Sequence, residues 1–355
     1  MKTLYLLPFL FLAITTFAQK QFVVQNGTAQ TFDDINVAIA AANAGDTIYL
    51  PGGGFNLNPA TIEKTLHWRG VGHYPDSTVA TGSTQITTYD VYFSGDCDNS
   101  TFEGIHFQHN VRFGTNGNEC TGVTMKRCRV AGTLFLRSTD DTSSGNPDLA
   151  FHISECVTST IQASYGMNVR VEKTMIFGVV NYFVLSYFNH CSVNYYDTSS
   201  SYDVINYCEN CQFLNSVFSY SHAIRGSANC NFENNIFAGG LPYDPNTSTF
   251  TGSGNITSVS GGIYNTITGN VYSFSYANNY HLNTSATGKD EDGQTVDSIT
   301  GTDPDDGTNA GVYGTLLPYK NGAVPYAPHI QSANIDNEAS GGNLGVQIKV
   351  AAQSR

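Results

Sequence analysis

Short runs of alternating apolar and polar residues recur through the middle of the chain, each closed by a polar turn. Cys191 and Val193, Cys211 and Phe213, and Cys230 and Phe232 each place a small residue two positions before an apolar one. A second short apolar pair follows at Tyr195–Tyr196, Val217–Phe218 and Ile236–Phe237. The offsets between Val193, Phe213 and Phe232 are 20 and 19 residues. A unit this short has no room to bury its own apolar face, so units must stack to make a core. The period of two inside each run makes the elements strands, not helices.

The same template extends in both directions. Ser100, Phe102, Ile105 and Phe107 fit it, followed by Val123, Met125, Cys128 and Val130. Phe151, Ile153, Cys156 and Thr158 come next, then Val169, Val171, Thr174 and Ile176. Asn265, Ile267, Asn270 and Tyr272 offer an eighth coil after the three cysteine-led ones. The longest gaps carry Thr139–Pro147 and Leu241–Ser248, whose Gly, Pro, Ser, Asp and Asn content is that of loops on the outside of a solenoid. Upstream, Ile35, Ala38, Ile39 and Ala42 recur at helical spacing, and Thr31 or Asp33 can cap a helix over residues 31–44. One amphipathic helix ahead of a solenoid is expected to cover its open first coil. Trp68, the one tryptophan, lies in a strand pair over residues 61–71. The pattern changes after Gly314, where Asn334–Asp336 and Leu344–Val350 read as extended strands of a C-terminal cap.

Composition narrows the class. The start, Lys2 followed by an apolar run from Leu4 to Ala13 and a small-residue exit at Ala18, reads as a secretory signal peptide. It is too short to span a membrane. The expected organisation is therefore a signal peptide over 1–18, a β-helix with its N-terminal cap over 19–314, and a C-terminal extended cap or tail over 315–355. The expected location is periplasmic or extracellular, including the cell surface. A formal charge of −13 with only 16 Lys and Arg argues against nucleic acid as a partner. Eight Cys in an exported chain raise the question of disulfides. Cys191, Cys211 and Cys230 fall in one repeat register and Cys128 and Cys156 in another, which suits buried free thiols. Neighbouring coils also bring such residues within bridging range, so bridges between coils stay open.

Phe32–Gly52, Arg69–Gly72 and the Asn-rich coils that follow resemble the right-handed parallel β-helix superfamily that includes the pectate lyases. Residues 280–282, 301–314 and 327–329 are similar to the tails of secreted β-helix proteins of that group. The resemblance implies an all-β right-handed solenoid. It implies no activity, because the group contains many members without assigned chemistry.

For chemistry, β-elimination on an acidic glycan needs a base and a group that stabilises the resulting anion. Arg170, Lys173, His222 and Arg225, with His190, fall in consecutive middle coils and are the candidates, set against the plain reading of outward polar strand positions. Glycoside hydrolysis needs two carboxylates ~5–9 Å apart. The Gly-His-Asp and Arg-Ile-Lys segments of the superfamily's hydrolases are absent, and Asp140–Asp141 and Asp305–Asp306 lie in loop or tail. The acidic stretches 290–293 and 303–307 offer clustered oxygens for Ca2+, but lack the spacing of a known calcium loop and fit solvated turns better. No metal site is otherwise expected. Tyr187, Tyr207 and Tyr220 stand among Asn and Ser in a composition suited to a sugar-binding face. The sequence thus points to an exported β-helix that contacts a polysaccharide or cell-surface glycan, or serves as a structural or adhesive module of the cell envelope, without demonstrated catalysis. A polysaccharide lyase is the second reading.

Overall fold

The computed structural model describes residues 21–58, 60–114, 118–137, 148–195, 204–219, 224–240, 248–301, 307–320, 329–336 and 343–351. The chain winds as a right-handed parallel β-helix whose coils contribute one strand to each of three parallel sheets. The first sheet runs from Asp46–Tyr49 through Leu66–Arg69, Thr101–Glu103, Thr124–Lys126, His152–Ser154, Arg170–Glu172, Tyr187–Asn189 and Gln212–Leu214 to Cys230–Glu233 and Phe250–Thr251. The second begins at Gly53–Phe55 and ends at Ile236–Phe237, and the third begins at Thr61–Ile62 and ends at Ile224–Arg225.

The alternation in the sequence becomes inside and outside. One residue per coil points inward from the first sheet, and in register these are Ile48, Trp68, Phe102, Met125, Ile153, Val171, Phe188, Phe213 and Phe232. All are buried. Parallel pairing sets neighbouring coils about 4.8 Å apart, and the rings follow that spacing. Phe188 and Phe213 stack at 4.7 Å, Phe213 and Phe232 at 4.8 Å, and Phe218 and Phe237 at 4.9 Å.

From the coil of Thr101–Glu103 onward, the corner from the first sheet to the second is a single residue in the left-handed region. Gly104, Arg127, Glu155, Lys173, His190, Asn215 and Asn234 occupy it, with φ between 47° and 70°. This corner corrects the repeat frame. The sequence template places Val193 opposite Phe213, but the structure places Phe188 there and stacks Val193 on Phe218 in the second sheet. A small residue two places before an apolar one occurs on both sides of the corner, so either side satisfies the pattern. The cysteine registers change accordingly: Cys191 belongs with Cys128 and Cys156, and Cys211 with Cys230. Cys97 and Cys120 form a disulfide, with Cα atoms 5.5 Å apart, while the other six cysteines are free and buried.

Inside the corner, one row of small side chains ties coil to coil. Thr174, Ser216, Asn235 and Asn255 each accept a hydrogen bond from the backbone N–H of the equivalent residue one coil earlier, Cys156, Cys191, Ser216 and Asn235. The Asn235 and Asn255 amides also donate to the carbonyls of Phe213 and Phe232, at 2.8 Å each. The backbone groups freed by the turn are thereby satisfied.

At the N-terminal end, the strands Phe22–Asn26 and Thr28–Phe32 extend the first sheet in antiparallel fashion. The helix spans only Ile35–Ala41 and is capped by Asp34, whose carboxylate accepts from the N–H groups of Asn36 and Val37. Thr31 and Asp33 do not cap it, because Thr31 is paired in the preceding hairpin. Ile35, Ala38 and Ala42 are buried against the core, as a cap requires.

The largest departure follows Thr251. Tyr264–Thr266 pairs antiparallel with Asn279–Leu282, so the expected eighth coil is not a coil. The segments 257–301 and 307–320 instead turn back along the outside of the second sheet. The outward row there runs Gln85, His106, Arg129, Val157, Met175, Ser192, Val217 and Ile236, polar at first and mainly apolar later. Ile263, Tyr264, Tyr280, Leu282, Ile299, Ala310 and Val312 cover its apolar part and form a second core. His329–Ile335 and Val346–Ala351 pair with each other as an antiparallel hairpin.

Candidate functional site

With its second sheet largely covered, the helix presents the outer face of the first sheet. Two parallel rows of side chains stand on it. One runs His67, Thr101, Thr124, His152, Arg170, Tyr187, Gln212, Asn231 and Thr251. The other runs Arg69, Glu103, Lys126, Ser154, Glu172, Asn189, Leu214 and Glu233. Only Leu214 breaks the polar character of the pair. Neighbours along and across the rows hydrogen-bond to one another: His67 with Thr101 at 3.0 Å, Arg69 with Glu103 at 2.8 Å, Asn231 with Glu233 at 2.9 Å, and Thr251 with Asn231 at 3.2 Å.

The centre of this face is Glu172. Its two carboxylate oxygens are divided between His152 Nε2 at 2.9 Å and Arg170 at 2.7 Å. Burial by itself would raise this carboxyl, but the two hydrogen bonds and the charges beside it outweigh burial and hold it at about 2. It is an ionised acceptor at neutral pH and holds no proton to donate. Arg170 is pushed above its ordinary value by the same hydrogen bond, and its guanidinium lies over the Tyr187 ring at 5.3 Å.

Around the corner from Glu172, a pocket of about 310 Å³ is bounded by Glu172, Lys173, Asn189 and His190 on one side and Thr315, Leu316 and Leu317 on the other. Lys173 closes its rim by donating to the Leu317 carbonyl at 2.9 Å. Gly314 is required here, since a Cβ at that position would meet His190 Nδ1 at 2.7 Å.

The predicted residues are therefore divided. Arg170 and Lys173 flank Glu172, on the sheet and on its corner respectively. Arg225 lies in the third sheet, in register with Asn206, and does not share their face. His222 and Tyr220 lie outside the described residues. Tyr187 is on the first sheet, with its ring next to Arg170. Tyr207 sits at the end of the third sheet in a row with Tyr182 and Tyr165, the Tyr182 ring lying 5.2 Å from Tyr207 and 5.1 Å from Tyr165. All three have positive φ, an unusual conformation for a bulky residue. The Tyr182 and Tyr207 rings are stacked at 3°, and the Tyr207 ring also lies 2.7 Å from where a Cβ on Gly226 would stand. The facing surfaces of Tyr182 and Tyr207 are thus occupied within the protein. Sequence reasoning did not single out His152 or Glu172 as a pair. The signal was their position two residues apart in adjacent coils, invisible until register is known.

Among the described residues no cluster of His, Cys, Asp or Glu has the arrangement of a metal site, and no helix is long and apolar enough to cross a membrane. Comparisons of the chain with protein-family models, curated proteins and solved structures found no match.

Proposed function

We propose that this protein is an exported member of the pectate lyase-like β-helix group that contacts polysaccharide through the outer face of its first sheet, as a glycan-binding, structural or adhesive module of the cell envelope. The observation carrying this reading is the double row of hydrogen-bonding side chains, from His67 to Thr251, which repeats once per coil. A polysaccharide likewise repeats hydroxyl and ring-oxygen groups at regular intervals, so a row of amides, hydroxyls and charged groups matches it better than an isolated pocket would. The polar side chains of both rows, Leu214 excepted, favour a hydrated, polar partner.

The lyase reading is weaker on physical grounds. A β-eliminating base must lose its proton near neutral pH. Arg170 is moved the other way by Glu172, and Lys173 is engaged with the Leu317 carbonyl. Among the described residues calcium has no supporting ligand set, and the second acidic stretch, 303–307, lies almost wholly outside them.

The test is affinity electrophoresis of the intact protein through gels containing neutral or acidic polysaccharides. Retardation by at least one polymer, reduced severalfold in Arg170→Ala and Gln212→Ala, supports the reading. Migration unaffected by every polymer sinks it. Incubation with polyuronates and calcium while following the unsaturated product in the ultraviolet decides the alternative, since steady product formation would make the protein a lyase.

A further inference from the structure

A second site lies on another face of the molecule and does not rest on the reading above. Where the returning segment crosses the second sheet, a cleft of about 400 Å³ opens between them. Its floor is Arg129 and the adjacent coil at Thr158 and Ser159, and its roof is Tyr272, Ser273 and Phe274. This volume suits a ligand the size of a monosaccharide.

Arg129 sets the chemistry. The residue is half-buried, and its guanidinium lies 5.0 Å from the Phe274 ring and 5.2 Å from the Tyr276 ring and donates to the Tyr276 hydroxyl at 2.9 Å. Arg69, Arg112, Arg127, Arg137 and Arg170 each have a carboxylate partner. Among the described residues, Arg129 has none within 4.0 Å. The other titratable groups around it are His73, His106, Tyr74, Tyr276 and Tyr280, all without negative charge at neutral pH. His106 is its register neighbour, and burial followed by the charge of Arg129 lowers His106 to about 4. The Nε2 atoms of His73 and His106 are buried and have no hydrogen-bond partner among the described residues. In a chain with a formal charge of −13, Arg129 is thus half-buried at the mouth of a polar cleft with no carboxylate partner among the described residues.

Such a cation is costly unless an anion meets it, and a guanidinium receives a planar carboxylate through two parallel hydrogen bonds. The hydroxyls of Ser159 and Ser273 suit the hydroxyl groups of the same ligand, and the Phe177 and Phe274 rings its apolar face. We propose that this cleft binds a sugar acid, with Arg129 receiving the carboxylate. The carboxylate belongs either to a free monosaccharide or to the end of an acidic oligosaccharide.

The experiment is isothermal titration calorimetry of the intact protein with galacturonate, with tri-galacturonate and with neutral galactose. Saturable one-site binding of either acid, with galactose weaker by about tenfold or more, is expected from the strength of charge-assisted hydrogen bonds. Binding of the monomer identifies a free sugar acid as the ligand, and binding of the trimer alone identifies a chain end. Arg129→Gln should weaken that binding by at least about tenfold. Because Arg129 also holds Tyr276, Tyr276→Phe is the control: it removes the tie to the returning segment and keeps the charge. It should retain binding within a few-fold. The proposal fails if neither acid binds, if galactose binds equally well, if folded Arg129→Gln binds normally, or if Tyr276→Phe loses as much as Arg129→Gln.

Discussion

At the scale of single residues, the informative positions are those whose neighbours lie one coil away. Glu172 is the clearest. Its folded value of about 2 lies below the ordinary 4.5, so folding favours the ionised form. The stabilisation is complete above the ordinary value and is lost as pH falls through the folded one. Glu172→Gln should therefore be less stable than the parent at neutral pH. The gap in urea midpoint between the two should close as pH is lowered from about 4.5 towards 2. A gap that stays constant over that range would show that the carboxylate is not held by His152 and Arg170. The cysteines test the interior in the same way. Burial pushes Cys156 and Cys191 up to about 12 and Cys128 well above its ordinary value, and the hydrogen bond with Cys211, followed by burial, raises Cys230. Maleimide should label none of the six free thiols in the folded protein and all six once it is denatured. Rapid labelling of the native protein would place at least one of them outside the core.

At the scale of the coil, stability comes from ladders. Phe213 contacts Phe188 on one side and Phe232 on the other, with interplanar angles of 14° and 6°. Phe213→Ala removes the middle ring of three and leaves a cavity that the flanking coils cannot close without breaking register. A loss of about 3–5 kcal/mol is expected in denaturant unfolding. A loss under about 1 kcal/mol would mean that the site collapses freely. Strand identity and the inward row were legible in the sequence, because alternation of period two survives any outer decoration. The frame was not: Cys191–Val193 and Cys211–Phe213 look alike but sit on different sides of the left-handed corner. Only pairing distinguishes them.

At the scale of the whole molecule, the coils and the returning segment depend on each other. Val157, Met175, Val217 and Ile236 face outward from the second sheet and would meet water without their cover. The cover reaches back towards the first coils, where the Tyr276 hydroxyl donates to the His73 carbonyl at 2.9 Å and Tyr74 meets Tyr319 at 3.1 Å. A chain ended at residue 256 should keep strand content by circular dichroism while binding a hydrophobic dye and self-associating. If it stays monomeric and binds no dye, the cover contributes little to shielding the sheet. The sequence boundary expected at 314 falls inside this cover, because the segment's short antiparallel strands carry the same Asn, Ser, Tyr and Gly composition as the coils.

The amino-acid sequence alone determined the solenoid, its strands, its inward row and the presence of an N-terminal cap. These follow from local alternation and from the inability of a unit of about 20 residues to bury itself. Tertiary structure alone decided which faces remain open and which charges find partners. Arg170 and Lys173 came together at Glu172 while Arg225 went to another sheet, and Arg129, which nothing in the linear pattern distinguished, was left in a cleft with no carboxylate partner among the described residues. The reason is geometric. Placement along a coil depends on a few adjacent residues, but contact between coils depends on insertion lengths, corner positions and the path of the returning segment.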